Sequence, residues 1–547
     1  MIQARTKTVR LIRPTLFLLA SLLSESFCYT IAAQQDTVEA FELRGQVINA
    51  ATGEPVSGAL VQIPSLAAQF SESDGGFAFT SLPAGNFSIE ARKPGFFSEQ
   101  QINQWNLSLH KVPSRENVTV KLTPEGILFG QVKDEDGQPM EAITVKLQHW
   151  QVVNGRRQLE AVRNIATDDL GNFRIAELVP GKYYLAFSPA GRGFTISDEL
   201  KRKTQNAEGY GPQFYPAGTD FASASVLEVR AGAQIHIAQN MARQRLFEVS
   251  GFLRGSNAGD QFSITLLTSS GDTPQREVRF NPKTGEFQIP GIPAGSYVLI
   301  ASGLRAARGE APADPVQLTA MLPIHVGGDL SGVLLSVGTG ISAAVQLRDE
   351  TSRENPNDLH RVYVRLMPDE FQQFGPGILV PPAPGTPQRP AQFENIWPGT
   401  YTVEATPQQP GYIAAMRCGS LDLLREDLTI PPGSAPEPIE ITLRNDGARL
   451  NFTLADDSGA NGVVVYSRDY PRRSILTPVG TGSSQSFGLA NLPPGTYHLI
   501  AVRDALDLEF RNPEVMEKYL QRAKVVTLLP GDNTTIRVET QQPPEQQ

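Results

Sequence analysis

Apolar residues along this chain alternate with polar ones in short runs, and the runs end at turns built from Gly, Pro, Asp and Asn. Side chains of a strand point alternately to its two faces, so these runs predict strands with one buried face. One pattern returns again and again: an apolar strand, a turn with Pro and Gly, then a second strand opening on an aromatic. It reads Phe77-Ala78-Phe79-Thr80-Ser81-Leu82-Pro83-Ala84-Gly85-Asn86-Phe87 in its first copy and Phe173-Arg174-Ile175-Ala176-Glu177-Leu178-Val179-Pro180-Gly181-Lys182-Tyr183 in its second. The third is Phe287-Gln288-Ile289-Pro290-Gly291-Ile292-Pro293-Ala294-Gly295-Ser296-Tyr297. Two more end alike, in Ile396-Trp397-Pro398-Gly399-Thr400-Tyr401 and Leu492-Pro493-Pro494-Gly495-Thr496-Tyr497. Counted from the aliphatic anchor (Leu82, Leu178, Ile292, Ile396, Leu492), a glycine always stands three residues on and an aromatic five on. Pro pre-sets such a turn and Gly supplies backbone freedom, so the motif predicts a hairpin-like corner.

The anchors are 96, 114, 104 and 96 residues apart, a period of one small domain. Each copy opens on a strand such as Leu43–Ile48 or Ile127–Lys133 and closes on one such as Val118–Leu122, Ile235–Ile237, Ile439–Leu443 or Thr535–Val538. Short alternating strands and turns, with almost no helical periodicity, predict an all-β chain of five tandem β-sandwich domains. The exception is 512–523, where Pro513, Val515, Met516, Tyr519 and Leu520 predict one short helix.

Composition adds the address. Arg5, Lys7, Arg10 and Arg13 precede the apolar run Leu16-Phe17-Leu18-Leu19-Ala20, and small residues follow at Ala32-Ala33, so 1–33 is expected to be a signal peptide cleaved near Ala32 or Ala33. Lipidation at Cys28 is disfavoured because Glu25-Ser26-Phe27 are not the small residues a lipobox wants. No later stretch is long and apolar enough for a transmembrane helix, so the mature chain is expected in the periplasm, outside the cell or on its surface. Of two cysteines only Cys418 stays in the mature chain, which excludes disulfide staples and requires an ordinary apolar core in each domain. A net charge of −9 argues against a nucleic-acid binder.

The run Gly45-Gln46-Val47, then Gly53-Glu54-Pro55-Val56-Ser57-Gly58-Ala59-Leu60-Val61, Asp74-Gly75-Gly76-Phe77 and Leu82-Pro83-Ala84-Gly85-Asn86-Phe87 resembles the carboxypeptidase regulatory-like domain. The second copy repeats the likeness from Gly130 through Asp168-Asp169-Leu170-Gly171-Asn172-Phe173; the fourth lacks the Asp-x-x-Gly-x-Phe motif and is interrupted by the Pro-rich segment 376–390. The resemblance implies prealbumin-like, Ig-like sandwiches, grouped with carbohydrate-binding-like folds, in a secreted bacterial multi-repeat protein. The expected organisation is signal peptide 1–33, regulatory-like domains 40–123 and 124–245, sandwiches 246–340, 341–447 (divergent) and 448–540, and a disordered tail 541–547. Tandem modules with short joints suggest a rod.

Catalytic signals are absent. The six histidines are at least 35 residues apart, no His-Glu-x-x-His occurs, and neither Gly-x-Ser-x-Gly nor a phosphate loop is found. The acidic turns Asp134-Glu135-Asp136-Gly137 and Asp456-Asp457-Ser458-Gly459 lack calcium-loop ligand spacing and read as turns. No enzyme activity, metal or cofactor is expected. Sandwich modules bind sugars through exposed aromatics, and the second repeat has a long insertion, 188–220, on which such residues collect. Candidate ligand contacts are Trp150, Tyr210, Phe214 and Tyr215, whereas Trp397, in a corner, reads as packing. The expected function is a non-enzymatic array binding carbohydrate or cell-envelope polymer; the alternative is a structural or protein-interaction scaffold or adhesin whose partner is an envelope protein.

Overall fold

A computed structural model describes residues 41–83, 86–102, 112–113, 117–189, 208–257, 260–268, 278–305, 316–351, 358–369, 377–379, 391–431, 433–454, 460–479, 486–503 and 505–541. The expected signal peptide, residues 190–207 of the insertion, the acidic turn 456–459 and the tail beyond 541 lie outside these residues. Among the described residues no helix is long and apolar enough to cross a membrane.

The chain is all-β, and ten of the eleven sheets among the described residues fall in pairs, one pair to a repeat, the eleventh being a two-stranded addition to the first repeat, Asn86–Phe87 with Val112–Pro113. In the second repeat, Asn172–Leu178, Gly126–Lys133 and Gln234–Asn240 form one sheet. Arg156–Ala166, Ile143–Val153 and Gly181–Pro189, extended by Gln213–Phe214 and Leu227–Val229, form the other. Inward residues of both sheets, among them Leu128, Val132, Val145, Leu147, Leu185 and Phe187, share one core. The plan recurs in every repeat: the opening strand lies between the corner strand, antiparallel, and the closing strand, parallel.

The corner is an arch and not a hairpin. Its two strands, Asn172–Leu178 and Gly181–Pro189 in the second repeat, belong to opposite sheets, so the motif carries the chain across the core. Register shows how. Leu128 pairs with Ile175 and Gly126 with Leu178, which gives the corner strand one extra residue just before the anchor. The same bulge precedes Leu82, Ile292, Ile396 and Leu492. Bulges bend a strand and raise its twist. The residue before the anchor takes positive φ at Glu177 (56°), Gly291 (75°), Asn395 (57°) and Asn491 (58°). The aromatic then turns back into the core, and its hydroxyl donates to the carbonyl four residues earlier. Tyr183 reaches Val179 O at 2.6 Å, Tyr297 Pro293 O at 3.0 Å, Tyr401 Trp397 O at 2.8 Å and Tyr497 Pro493 O at 2.7 Å.

In the first three repeats the parallel closing strand lies close against a glycine of the opening strand, a position held by Val345 and Phe452 in the fourth and fifth. A Cβ at Gly130 would stand 1.8 Å from Ile237 O, and one at Gly251 1.9 Å from Val333 O. These glycines pair with the buried Phe173 and Phe287. In the divergent fourth repeat the equivalent contact is Val345 N to Ala391 O at 2.8 Å, so a larger residue in one strand meets a smaller one in the other. The expected helix is present as Pro513–Leu520, capped by the Asn512 side chain accepting from Glu514 N, with Met516 fully buried.

Contacts between repeats replace the expected rod with a closed circuit. Glu208–Gly209, from the insertion of the second repeat, pairs with Gln244–Arg254, the opening strand of the third. Beside it Gln213 Nε2 donates to Ala242 O at 2.6 Å and Ala242 N to Gln213 Oε1 at 3.1 Å. Trp397 of the fourth repeat packs on Leu267, Val298, Ile300 and Met321 of the third. Tyr470 of the fifth is flanked by the guanidinium groups of Arg425, 4.6 Å from its ring centre, and Arg473, at 4.5 Å, while Arg473 donates to Ile413 O at 2.8 Å. The circuit closes where the Asn154-Gly155 turn, at the tip of the hairpin Ile143–Ala166, meets the fifth repeat: Arg511 N donates to Gly155 O at 3.0 Å. A Cβ on Gly155 would come within 2.8 Å of the Phe510 ring, so the turn sits flat on that ring. Two eleven-residue strands give this hairpin its reach.

Candidate functional site

The outer face of the larger sheet in the second repeat gathers aromatic rings. Trp150 lies on Ile143–Val153 just past a bulge between Leu147 and Gln148. Phe221 comes from a 3-10 turn, Phe221–Ser223, laid over the sheet by the insertion. The Phe221 ring stands 5.9 Å from Trp150 and 5.7 Å from Phe214, both edge to face, and 4.9 Å from Tyr184. Edge-to-face pairs at such spacings satisfy the ring quadrupoles and hold the cluster rigid. Trp150 remains 36% exposed, and the Arg157 guanidinium lies 4.8 Å over its ring centre. Arg157 is exposed, so its donors cap one face of a partly exposed indole. A partly exposed ring capped by a mobile cation with planar donors suits a flat ligand with C–H on its faces and hydroxyls at its rim.

The four sequence-expected residues part company here. Trp150 and Phe214 meet through Phe221. Tyr215 is half-buried against the core, its N–H donating to Leu185 O at 3.0 Å. Tyr210 is 7% exposed and its hydroxyl donates to Glu135 Oε2 at 2.5 Å, so its ring belongs to the interior. Arg243 Nε completes that group at 2.7 Å from Glu135 Oε1. The hydrogen bond from Tyr210 holds the Glu135 carboxyl below its usual range, and burial, reinforced by the same bond, pushes Tyr210 up to about 12. Sequence reasoning missed Phe221 and Tyr184. The only signal for Tyr184 is that Tyr183-Tyr184 sends one ring in and one out; His149 stacks on the inward ring at 5.7 Å.

Other candidates resolve as structure. The turn at Asp134 is held by its own carboxylate, which accepts from Asp136 N and Gln138 N, and among the described residues no His, Cys, Asp and Glu group has metal-binding geometry. Cys418 is half-buried with its thiol donating to Glu437 O; burial and the Glu437 charge raise its pKa, which suits an unreactive filler. An open cleft of about 470 Å³ crosses the outer face of the third repeat, lined by Ser250, Phe252, Arg279, Phe280, Glu286 and Gln288, residues of three strands that no local pattern joins.

Comparison with known proteins gives one family match and several distant structural likenesses. The carboxypeptidase regulatory-like domain matches residues 42–123 and 127–201. No curated protein matches the chain. Among solved structures, the Bacillus anthracis TIE protein is 12% identical with TM-score 0.17; the alignment covers 55% of this chain and half of that one. The minor pilin GBS52 of Streptococcus agalactiae is 14% identical with TM-score 0.20, covering 37% of this chain and 96% of that one. A streptococcal ancillary pilin is 12% identical with TM-score 0.19, covering 55% and 99%. The matched module is the regulatory-like one and not a peptidase, and the chain is a multi-repeat β-sandwich protein that resembles the carboxypeptidase regulatory-like domain over its first repeat and the larger part of its second.

Proposed function

We propose that this protein is a secreted, non-enzymatic array of the cell envelope that binds polysaccharide through the outer aromatic face of its second repeat. The observation that carries the reading is the Trp150, Phe221, Phe214 and Tyr184 cluster, rigid within itself and open to solvent at Trp150 under Arg157. The other repeats hold this face and add weaker contacts of their own, which sum through effective concentration. The expected leader 1–33 places the array in the periplasm or on the cell surface.

Retention of residues 34–547 on immobilised polysaccharides and peptidoglycan tests the reading. Truncating a central aromatic anchor costs about 2 kcal/mol, roughly thirtyfold in affinity, so Trp150→Ala is expected to lose selective retention while keeping its circular dichroism spectrum. Equal retention of Trp150→Ala and the parent chain, or none by either, overturns it. The second reading, an envelope-protein scaffold, is favoured by the number of joints that lock repeat to repeat, and predicts indifference to Trp150→Ala together with capture of a protein partner.

A further inference from the structure

At the closure of the circuit, where the second, fourth and fifth repeats meet, stands a half-buried guanidinium with no counter-ion among the described residues. The Nε of Arg511 is shut off from solvent and has no hydrogen-bond partner, and among the described residues no carboxylate lies within salt-bridge distance. The acid that acts on it, Glu404, and the acid beside its neighbour Arg472 are engaged elsewhere. Glu404 is taken by Arg365 at 2.5 Å, and Asp427 by Arg472 at 2.8 Å. More positive charge arrives with the hairpin tip, since Arg156 follows the Gly155 whose carbonyl accepts from Arg511 N. Burial lowers the Arg511 pKa; the charge of Glu404 opposes this, and those of Arg156 and Arg472 add to it. Burying a charge unpaired is among the costliest arrangements a fold can hold, and guanidinium does not escape the cost by losing its proton.

We propose that this joint is an oxyanion site in which Arg511, assisted by Arg156, receives a carboxylate, phosphate or sulfate group of an anionic polymer. The planar fork of the guanidinium matches such groups with two parallel hydrogen bonds, and one anion there satisfies the orphaned donor and neutralises charge contributed by more than one repeat. The site is distinct from the Trp150 face, which suits a neutral ring, and fails or stands independently of it.

Thermal unfolding of the chain in phosphate, sulfate or polygalacturonate, against chloride at equal ionic strength, tests the proposal. The parent chain is expected to gain melting temperature saturably with an oxyanion. Arg511→Met is expected to melt higher than the parent in chloride, because a half-buried charge with an unpartnered Nε is gone, and to lose the oxyanion response by at least tenfold in apparent affinity. Arg156→Gln, at the hairpin tip, is expected to weaken it severalfold and gives a second reading should Arg511→Met fold poorly. A response to polygalacturonate identifies a carboxylate polymer, and one confined to phosphate and sulfate a phosphorylated or sulfated one. An oxyanion response equal in the parent and both variants, or absent from the parent, overturns the proposal.

Discussion

Four tyrosines do the same work at the same place. Tyr183, Tyr297, Tyr401 and Tyr497 each close a sheet-crossing arch by donating to the carbonyl four residues back, and each is less than a tenth exposed. A buried hydrogen bond contributes about 1 kcal/mol, and its removal leaves the carbonyl unpaired, so Tyr497→Phe is expected to cost about 1–2 kcal/mol in denaturant unfolding. Burial pushes Tyr401 and Tyr497 up to about 12 from an ordinary 10. A group whose folded pKa is raised stabilises fully below its unfolded pKa, so this contribution is present below about pH 10 and lost as pH rises toward 12. The acid side has the opposite sign. His149 and His498 are lowered from 6.5, chiefly by burial, so the unfolded chain binds protons first and stability falls as pH drops below about 6.5. Denaturant midpoints against pH are expected to show both limbs, with the acid limb flattened in a His149→Phe, His498→Phe double variant.

At the scale of the element, the opening strand of the first three repeats is constrained from both sides, by a phenylalanine of the corner strand and by the backbone of a parallel closing strand. Gly130→Val places side-chain atoms where Ile237 O already lies, and the expected loss is at least about 3 kcal/mol, or failure of the second repeat to fold, read from its near-ultraviolet circular dichroism. The bulge before each anchor makes a milder prediction. Glu177 occupies left-handed backbone at a cost of about 1–2 kcal/mol and forms only an exposed ion pair with Arg163, so Glu177→Gly is expected to raise stability by about 0.5–1 kcal/mol. The strands and their inward faces were legible from alternation alone. Parallel pairing of the first and last strand was not, because nothing in either strand records the direction of its neighbour.

For the whole molecule, the joint between Gly155 and Phe510 decides shape. Phe510→Ala removes the ring on which the hairpin tip rests while leaving the hairpin intact, and is expected to raise the radius of gyration in small-angle X-ray scattering without lowering the stability of the second repeat. An unchanged scattering curve would show that the remaining joints hold the circuit closed by themselves. The insertion of the second repeat has a larger part than its aromatic content suggested. It supplies a strand to the third repeat, the Gln213 clamp on Ala242 beside that joint and the Tyr210 anchor to the core, and it leads into the Phe221 turn on the outer face.

The amino-acid sequence alone determined what short-range stereochemistry decides: strands from alternation, the recurring corner from its Pro, Gly and aromatic spacing, the short helix from Asn512 and the apolar residues after it, and the sandwich class that these imply. Tertiary structure decided which aromatic rings face water. Tyr210 and Trp150 are equal candidates in the sequence, and they differ because Tyr210 meets Glu135, 75 residues away, whereas Trp150 meets Phe221 on an open face. It also decided that Arg511 is half-buried beside a glycine of another repeat. Both outcomes depend on contacts between distant segments, and no local pattern of residues carries the free energy of a contact that forms only when the whole chain has folded.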